Sequence, residues 1–261
     1  MEILNFPIDQ FKVFLMILIR VSVVLYMFPV FSSAMIPNLV KAGFAMVIAL
    51  ALVPVAPVDP ARFPDTVVDA VILGISELFL GMALALSIRI FLSAVELAGE
   101  MIGFQMGFAI INVLDPQSGI QVSIMGQIGN LIVLVIFLAL NGHHALINGM
   151  VESFKVVDIG SLSLKKEFMF HMLSLMSDMF VIAVQMGAPA IVALLFTSAG
   201  FGIAAKFVPQ MNILIAAFPV KIVVGLIFFG LSIQIMAIVT QTYLNRYPSI
   251  VSALLRWMGG G

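Results

Sequence analysis

Long apolar stretches separated by short polar connections organise this chain from end to end. Six of them, at about 11–31, 39–55, 67–92, 124–140, 173–196 and 213–239, come near the ~20 residues that a helix needs to cross a bilayer core. The connection 54–69 is rich in Pro and Asp and ends in Thr66-Val-Val-Asp69. A hydroxyl at the first position and a carboxylate three residues on predict a capped helix start there. The longest polar connection, 141–170, predicts one short amphipathic helix around 145–156. Heptads, short repeats and low-complexity tracts are absent. The pattern predicts an all-α, polytopic integral membrane protein.

Composition strengthens that reading. Hydrophobic residues make up 62% of the 261, charged residues 10%, and mean hydropathy is +1.21. A soluble domain carries about a quarter charged residues, so this chain lacks the polar surface to stay in water. A net charge of −1 leaves no electrostatic footprint for nucleic acid. With no cysteine there is neither a disulfide nor a thiolate metal site. Glu2 and Asp9 stand where a signal peptide would be basic, and Arg20 interrupts the first apolar run. The expectation is insertion through the spans themselves, without a cleaved leader.

Several features depart from a bundle of lipid-facing helices. The helix that begins near Val67 meets no stop before about Gly103. Its ~36 residues would run about 54 Å, against a bilayer core of roughly 30 Å. Arg89, Ser93, Glu96 and Glu100 fall on one side of its second half, a stripe that should face water or partner protein. Arg20, Glu77, Asp178 and Lys221 lie inside apolar runs, and each needs a partner, water or a place near a helix end. One Trp and three Tyr are few anchors for six spans. Prolines 29, 54, 189 and 219 predict helix breaks whose freed backbone groups need protein or a wet cavity. Helices surrounded by other helices, in a partner-rich assembly, account for all of this.

Three constellations invite a chemical reading. In Ala98-Gly-Glu-Met-Ile-Gly-Phe-Gln-Met-Gly-Phe108, glycines recur every four residues. That spacing places Gly99, Gly103 and Gly107 on one face, where another backbone can come close. Alternatively, Phe104, Met106 and Phe108 between those glycines form a deformable apolar constriction beside the loop 112–119. His143 and His144 point about 100° apart on a helix and cannot chelate one metal as an i,i+4 pair does. They are better suited to capping the helix end after Asn141-Gly142, and His171 stands alone. In Gly200-Phe-Gly-Ile-Ala-Ala-Lys206-Phe-Val-Pro209-Gln-Met-Asn212, the residue types spell a helical hairpin with a basic tip. Pro219 and Lys221 interrupt the return helix, as broken helices do at transporter substrate sites. A small-solute permease using Glu77, Arg89 or Lys221 therefore stays open as an alternative. No Gly-x-Ser-x-Gly, Walker or dinucleotide loop occurs, and the reading carries no catalytic residue, metal or cofactor.

Four stretches together resemble the FliR family of flagellar type III export gate proteins and its injectisome counterpart. They are Glu100-Met-Ile-Gly-Phe-Gln-Met-Gly-Phe108 with Asp115-Pro116, Asn141-Gly-His-His-Ala-Leu-Ile147 through Ser153-Phe154, Ala188-Pro-Ala-Ile-Val-Ala-Leu-Leu195, and Phe201-Gly through Phe207-Val-Pro-Gln-Met-Asn212 to Phe218-Pro-Val-Lys221. The resemblance covers essentially the whole chain. It implies a non-enzymatic subunit of long, kinked helices and helical hairpins. One copy would join FliP and FliQ homologues in a closed, helical multi-subunit gate for unfolded export substrates, with FlhA and FlhB homologues as neighbours. Residues 1–165 would be FliP-like, with a plug segment at about 98–120, and residues 166–261 would be a FliQ-like hairpin, the two forming one structural unit. The plug carries over onto Gly103, Phe104, Gln105, Met106, Gly107 and Phe108. Polar assembly positions fall on Arg20, Glu77, Arg89, Glu96, Glu100, Lys206, Pro209, Gln210, Asn212 and Lys221. The implied location is the bacterial inner membrane, multi-pass, in the flagellar basal body. Counting basic residues, Arg62, Lys155, Lys165, Lys166, Arg246 and Arg256 fall on one side, expected to be cytoplasmic, and Lys41 and Lys206 on the other.

Overall fold

Several helices start where the sequence places its punctuation. The structure, a computed structural model, describes residues 7–28, 31, 36–108, 123–163, 165–207, 210 and 212–259. Among these residues run α1 (Ile8–Met27), α2 (Asn38–Leu52), α3 (Val67–Met106), α4 (Ile124–Ala139), α5 (Gly142–Val156), α6 (Lys166–Phe207) and α7 (Ile213–Met258). Pro7 and Pro37 precede α1 and α2, where a missing N–H costs nothing. Thr66 caps α3 as the sequence predicts: its Oγ1 accepts from the Asp69 N–H at 3.2 Å and donates to Asp69 Oδ2 at 2.6 Å. Ser123 caps α4 by accepting from the Gly126 N–H at 3.2 Å. Asn141, left-handed at φ 58°, turns the chain through 70° between α4 and α5.

The fold is all-α among the described residues, apart from one isolated bridge between Leu162 and Gly259. The six apolar stretches do not become six spans. Among the described residues three helices, α3, α6 and α7, are long and apolar enough to cross a membrane, and the bent pair α4–α5 would make four. For the second and fourth stretches the difference is geometric. At 15 residues α2 is short, and the polar turn at Asn141 bends the fourth stretch away from its continuation. The long helices have 40, 42 and 46 residues. At 1.5 Å per residue each spans about 60 Å or more, twice a bilayer core.

Two of the predicted breaks are absent. Pro189 lies inside α6 and Pro219 inside α7, as does Pro248 further along, and each helix continues through them. Proline removes one i→i−4 bond and crowds one carbonyl, a local cost that a long, packed helix absorbs. Pro54 follows the end of α2, and Pro29 lies outside the described residues.

Two compact units form, each drawing on several parts of the chain. The first comprises Met1–Arg89, Asn141–Leu175 and Leu244–Gly261, the second Ile90–Leu140 and Met176–Tyr243. The first unit is organised by a buried ion pair. Arg20 of α1 forks onto Glu77 of α3: Nε donates to Oε2, and Nη2 donates to Oε1 at 3.0 Å. Both side chains are within 1% of full burial. The remaining guanidinium hydrogens are used as well. Nη1 donates to Ser153 Oγ at 3.1 Å, and both terminal nitrogens approach the Val157 carbonyl at 3.3 Å. The Phe154 ring lies 4.3 Å from the guanidinium carbon, and the Gly160 N–H donates to Glu77 Oε1 at 3.1 Å. One residue pair thus joins α1, α3, α5 and the strap that follows α5. That strap then closes the far end of α7: Ser163 and Lys165 N–H groups donate to the carbonyls of Met258 and Trp257 at 3.0 and 3.1 Å. These bonds satisfy two of the orphan carbonyls at that helix end.

Removing one member of a buried, fully bonded pair leaves the other charged and dry, at a cost of about 3–5 kcal/mol. Glu77→Leu is therefore expected to lower thermal stability in detergent sharply. The double variant Arg20→Leu/Glu77→Leu should recover part of the loss. Equal melting of single and double variants would show that no stranded charge is involved.

Candidate functional site

The segment singled out from sequence is the last turn of α3 and its cap. Gly107 takes φ 93°, a conformation that side chains with a Cβ rarely adopt. Its N–H donates to the Phe104 carbonyl at 3.1 Å, and the Phe108 N–H donates to the Gly103 carbonyl at 3.1 Å. This nested pair of bonds is a Schellman ending, and it stops the helix at Met106.

The three glycines predicted to share a packing face therefore divide their roles. At Gly99 a Cβ would sit 2.4 Å from Gly126 Cα and 2.5 Å from Gly126 N, so the backbones of α3 and α4 touch. At Gly103 a Cβ would meet Ser123 Oγ at 3.1 Å. That hydroxyl, already capping α4, also donates to the Gly99 carbonyl at 3.4 Å. Further along the seam, a Cβ at Gly129 would lie 3.5 Å from Val95. The pairings 103 with 123, 99 with 126 and 95 with 129 run in opposite directions, so the two helices are antiparallel. Gly107 takes no part in this seam and serves as the helix stop.

Side chains of residues 103–108 separate as helix geometry requires. Met106 is fully buried and Phe104 is 72% exposed. Gln105 and Phe108 are half-buried. Met106 lies across Gly225 of α7, where a Cβ would come within 2.6 Å of its Cγ and 2.7 Å of its Sδ. The loop 112–119, with Asp115 and Pro116, lies outside the described residues.

The other predicted positions distribute as follows. Arg20 and Glu77 pair with each other inside the first unit. Arg89, Glu96 and Glu100 are exposed and Ser93 is half-buried, so the stripe faces outward from α3 as expected. Asp178, Lys206, Gln210 and Asn212 are exposed, and Lys221 is half-buried. Asn212 starts α7 by accepting from the Ile215 and Ala216 N–H groups at 3.1 and 3.2 Å. Pro209 lies outside the described residues. The histidine pair does not cap a helix. His143 and His144 sit within the first turn of α5, their rings 4.3 Å apart, and His143 Nδ1 is buried without a hydrogen-bond partner. The left-handed Asn141 makes the turn that they were expected to seal.

With these positions in place, comparison with known proteins identifies the chain's kin. Residues 11–247 match the family described as bacterial export proteins, family 1. The chain belongs to that family. The flagellar biosynthetic protein FliR of Bacillus subtilis (strain 168) is 31% identical over 261 residues, covering 98% of this chain and 99% of the relative. FliR of Escherichia coli (strain K12) is 30% identical over 209 residues, with 80% and 79% covered, and FliR of Aquifex aeolicus (strain VF5) is 26% identical with 87% and 88% covered. The export-family chain is a membrane-embedded component of the flagellar export apparatus, and these relatives carry the names of biosynthetic components.

Sequence reading missed two residues of this site in the export-family chain: Gly126 and Gly225. Gly126 stands three residues before Gly129, a nearby pair of small residues visible in the sequence. Gly225 carries no such signal, because its partner lies over a hundred positions away. The seam gives a direct test. Backbone atoms cannot rotate aside, so Gly99→Val should cost at least the ~1–3 kcal/mol typical of overpacking, and Gly99→Ala less. Gly202→Val, at an exposed position with nothing within 4 Å, is the control and should melt like the parent. If all three melt alike in detergent, the seam is not a close contact.

Proposed function

We propose that this chain is a non-enzymatic subunit of the flagellar type III export gate, forming with FliP and FliQ homologues the closed entry pore for unfolded substrates. Residues 1–165 supply the FliP-like part and residues 166–261 the FliQ-like hairpin. FlhA and FlhB homologues are its neighbours, and its place is the inner membrane at the basal body. Residues 103–108 contribute the plug, with Phe104 and Phe108 presented to the pathway.

The observation that carries this reading is an exposed phenylalanine on a capped helix end. Phe104 is 72% exposed while Met106, two residues on, is fully buried. A seal against ions needs apolar side chains, because a narrow apolar constriction sheds water and excludes hydrated charge. It also needs a fixed base. Here the base is the Schellman turn, which ties Gly103 to Phe108 and Phe104 to Gly107 through the backbone.

The surface of the long helices supports a subunit role. In the most apolar window, 56% of α3 is buried, against 28% of α6 and 22% of α7. Phe180, Val184, Leu195, Phe196, Val223 and Ile227 are among the exposed apolar side chains on α6 and α7. Patches of that extent need lipid or other apolar helices. The charged stripe of α3 suits contact with polar partner surface rather than acyl chains.

Phe104→Ala and Phe108→Ala are expected to make cells conduct ions while the complex still assembles with its partner subunits. Membrane conductance and co-purification from the same cells check both halves. An intact complex with unchanged conductance would remove the plug role. Purification as a solute-moving monomer that depends on Glu77, Arg89 or Lys221 would make the protein a permease instead.

A further inference from the structure

We infer that Gly225 of α7 is a positioning residue for the plug: it is the seat into which Met106 inserts, and that insertion sets where Phe104 and Phe108 stand. The inference rests on the plug reading above and adds a residue that the plug sequence does not contain.

The geometry is specific. A Cβ at Gly225 would meet three consecutive atoms of Met106, Cγ at 2.6 Å, Sδ at 2.7 Å and Cε at 3.0 Å. The methionine therefore lies along the α7 backbone for its whole length, and its burial is complete. Any Cβ there would require Met106 to shift. One turn further along α7, the buried Phe229 fixes the alignment: a Cβ at Gly129 of α4 would lie 3.8 Å from its Cζ. In the second unit, α7 thus meets α3 at Gly225 and α4 at Phe229.

Displacement of Met106 cannot stay local. Phe104 and Gly107 are joined by one backbone hydrogen bond, and Gly103 and Phe108 by another. Met106 sits inside both loops, so the turn moves as a body when its anchor moves. Seat and occupant are also suited to release. An unbranched thioether repacks more easily than a branched or aromatic side chain, so it can be withdrawn without breaking the helix.

The test uses the full chain in its complex with co-expressed partner subunits, reconstituted into phosphatidylethanolamine–phosphatidylglycerol vesicles, with potassium efflux as the readout. Gly225→Val is expected to raise efflux about tenfold, equivalent to about 1.4 kcal/mol on the closed state, with complex yield unchanged. Gly225→Ala should give a smaller rise in the same direction. The exchange Met106→Gly/Gly225→Met, which moves the occupant to the other helix, should bring efflux back toward the parent. Gly230→Val, on the same helix with nothing within 4 Å, should change nothing. Where valine blocks assembly, Gly225→Ala and Met106→Ala decide the matter. Leaky Phe104→Ala with tight Gly225 and Met106 variants would overturn the seat and leave the plug standing. Tight Phe104→Ala and Phe108→Ala would overturn the plug and the seat together.

Discussion

Charge buried away from water must be matched almost completely, and one such charge organises the first unit. The guanidinium of Arg20 has lost all its hydration, and every direction in which it can donate is taken: two bonds to Glu77, one to Ser153 and the Val157 carbonyl. The Glu77 carboxylate in turn holds the Gly160 N–H. The consequence is positional. Helices α1, α3 and α5 must meet at the depth and rotation that serve one planar group, and the strap after α5 must return to it. Such a pair contributes little net stability against apolar replacements, but it tolerates few alternative registers. Because the strap also covers the carbonyls at the end of α7, the same constraint reaches the last residues of the chain.

The second unit is held by an opposite principle. Where the first unit matches charge, here side chains are withdrawn so that backbones can touch. Gly99 against Gly126 brings α3 and α4 together, and Gly225 against Met106 brings α7 to the end of α3. Apolar helices in lipid gain little from burying leucine against leucine, since acyl chains are equally apolar. Close packing at small residues and a few polar bonds do that work instead. The Ser123 hydroxyl, which caps α4 and reaches the Gly99 carbonyl, supplies such a bond at the tightest point.

Under the proposed gate role, these two modes of packing suit a component that has to stay closed and yet yield. The matched ion pair is rigid because breaking it strands a charge. The Gly225 contact is of another kind, since a methionine leaving it would lose dispersion contacts alone.

Much of the fold was written in the sequence. Hydropathy fixed the membrane class, Thr66 and Asp69 marked the start of α3, and the unbroken run from Val67 predicted its length. The outward stripe of Arg89, Glu96 and Glu100 followed from helical spacing alone. These are local properties: a cap, a period and an apolar run need only neighbours within a turn or two. Prolines 189 and 219 misled because a local rule about breakage yields to the packing of a long helix. The segment 98–108 was legible as a motif of glycine, methionine and phenylalanine, but its internal division was not. That Gly107 stops the helix, that Met106 is buried and that Phe104 is free depend on where Gly225 and Ser123 arrive in space. The need of Arg20 for a partner could be read from its burial in an apolar run, whereas the identity of that partner, 57 residues away, could not. Sequence by itself determined what each segment would be. Which segments meet was decided by tertiary structure, because contact between distant residues depends on the rotation and depth of every helix between them.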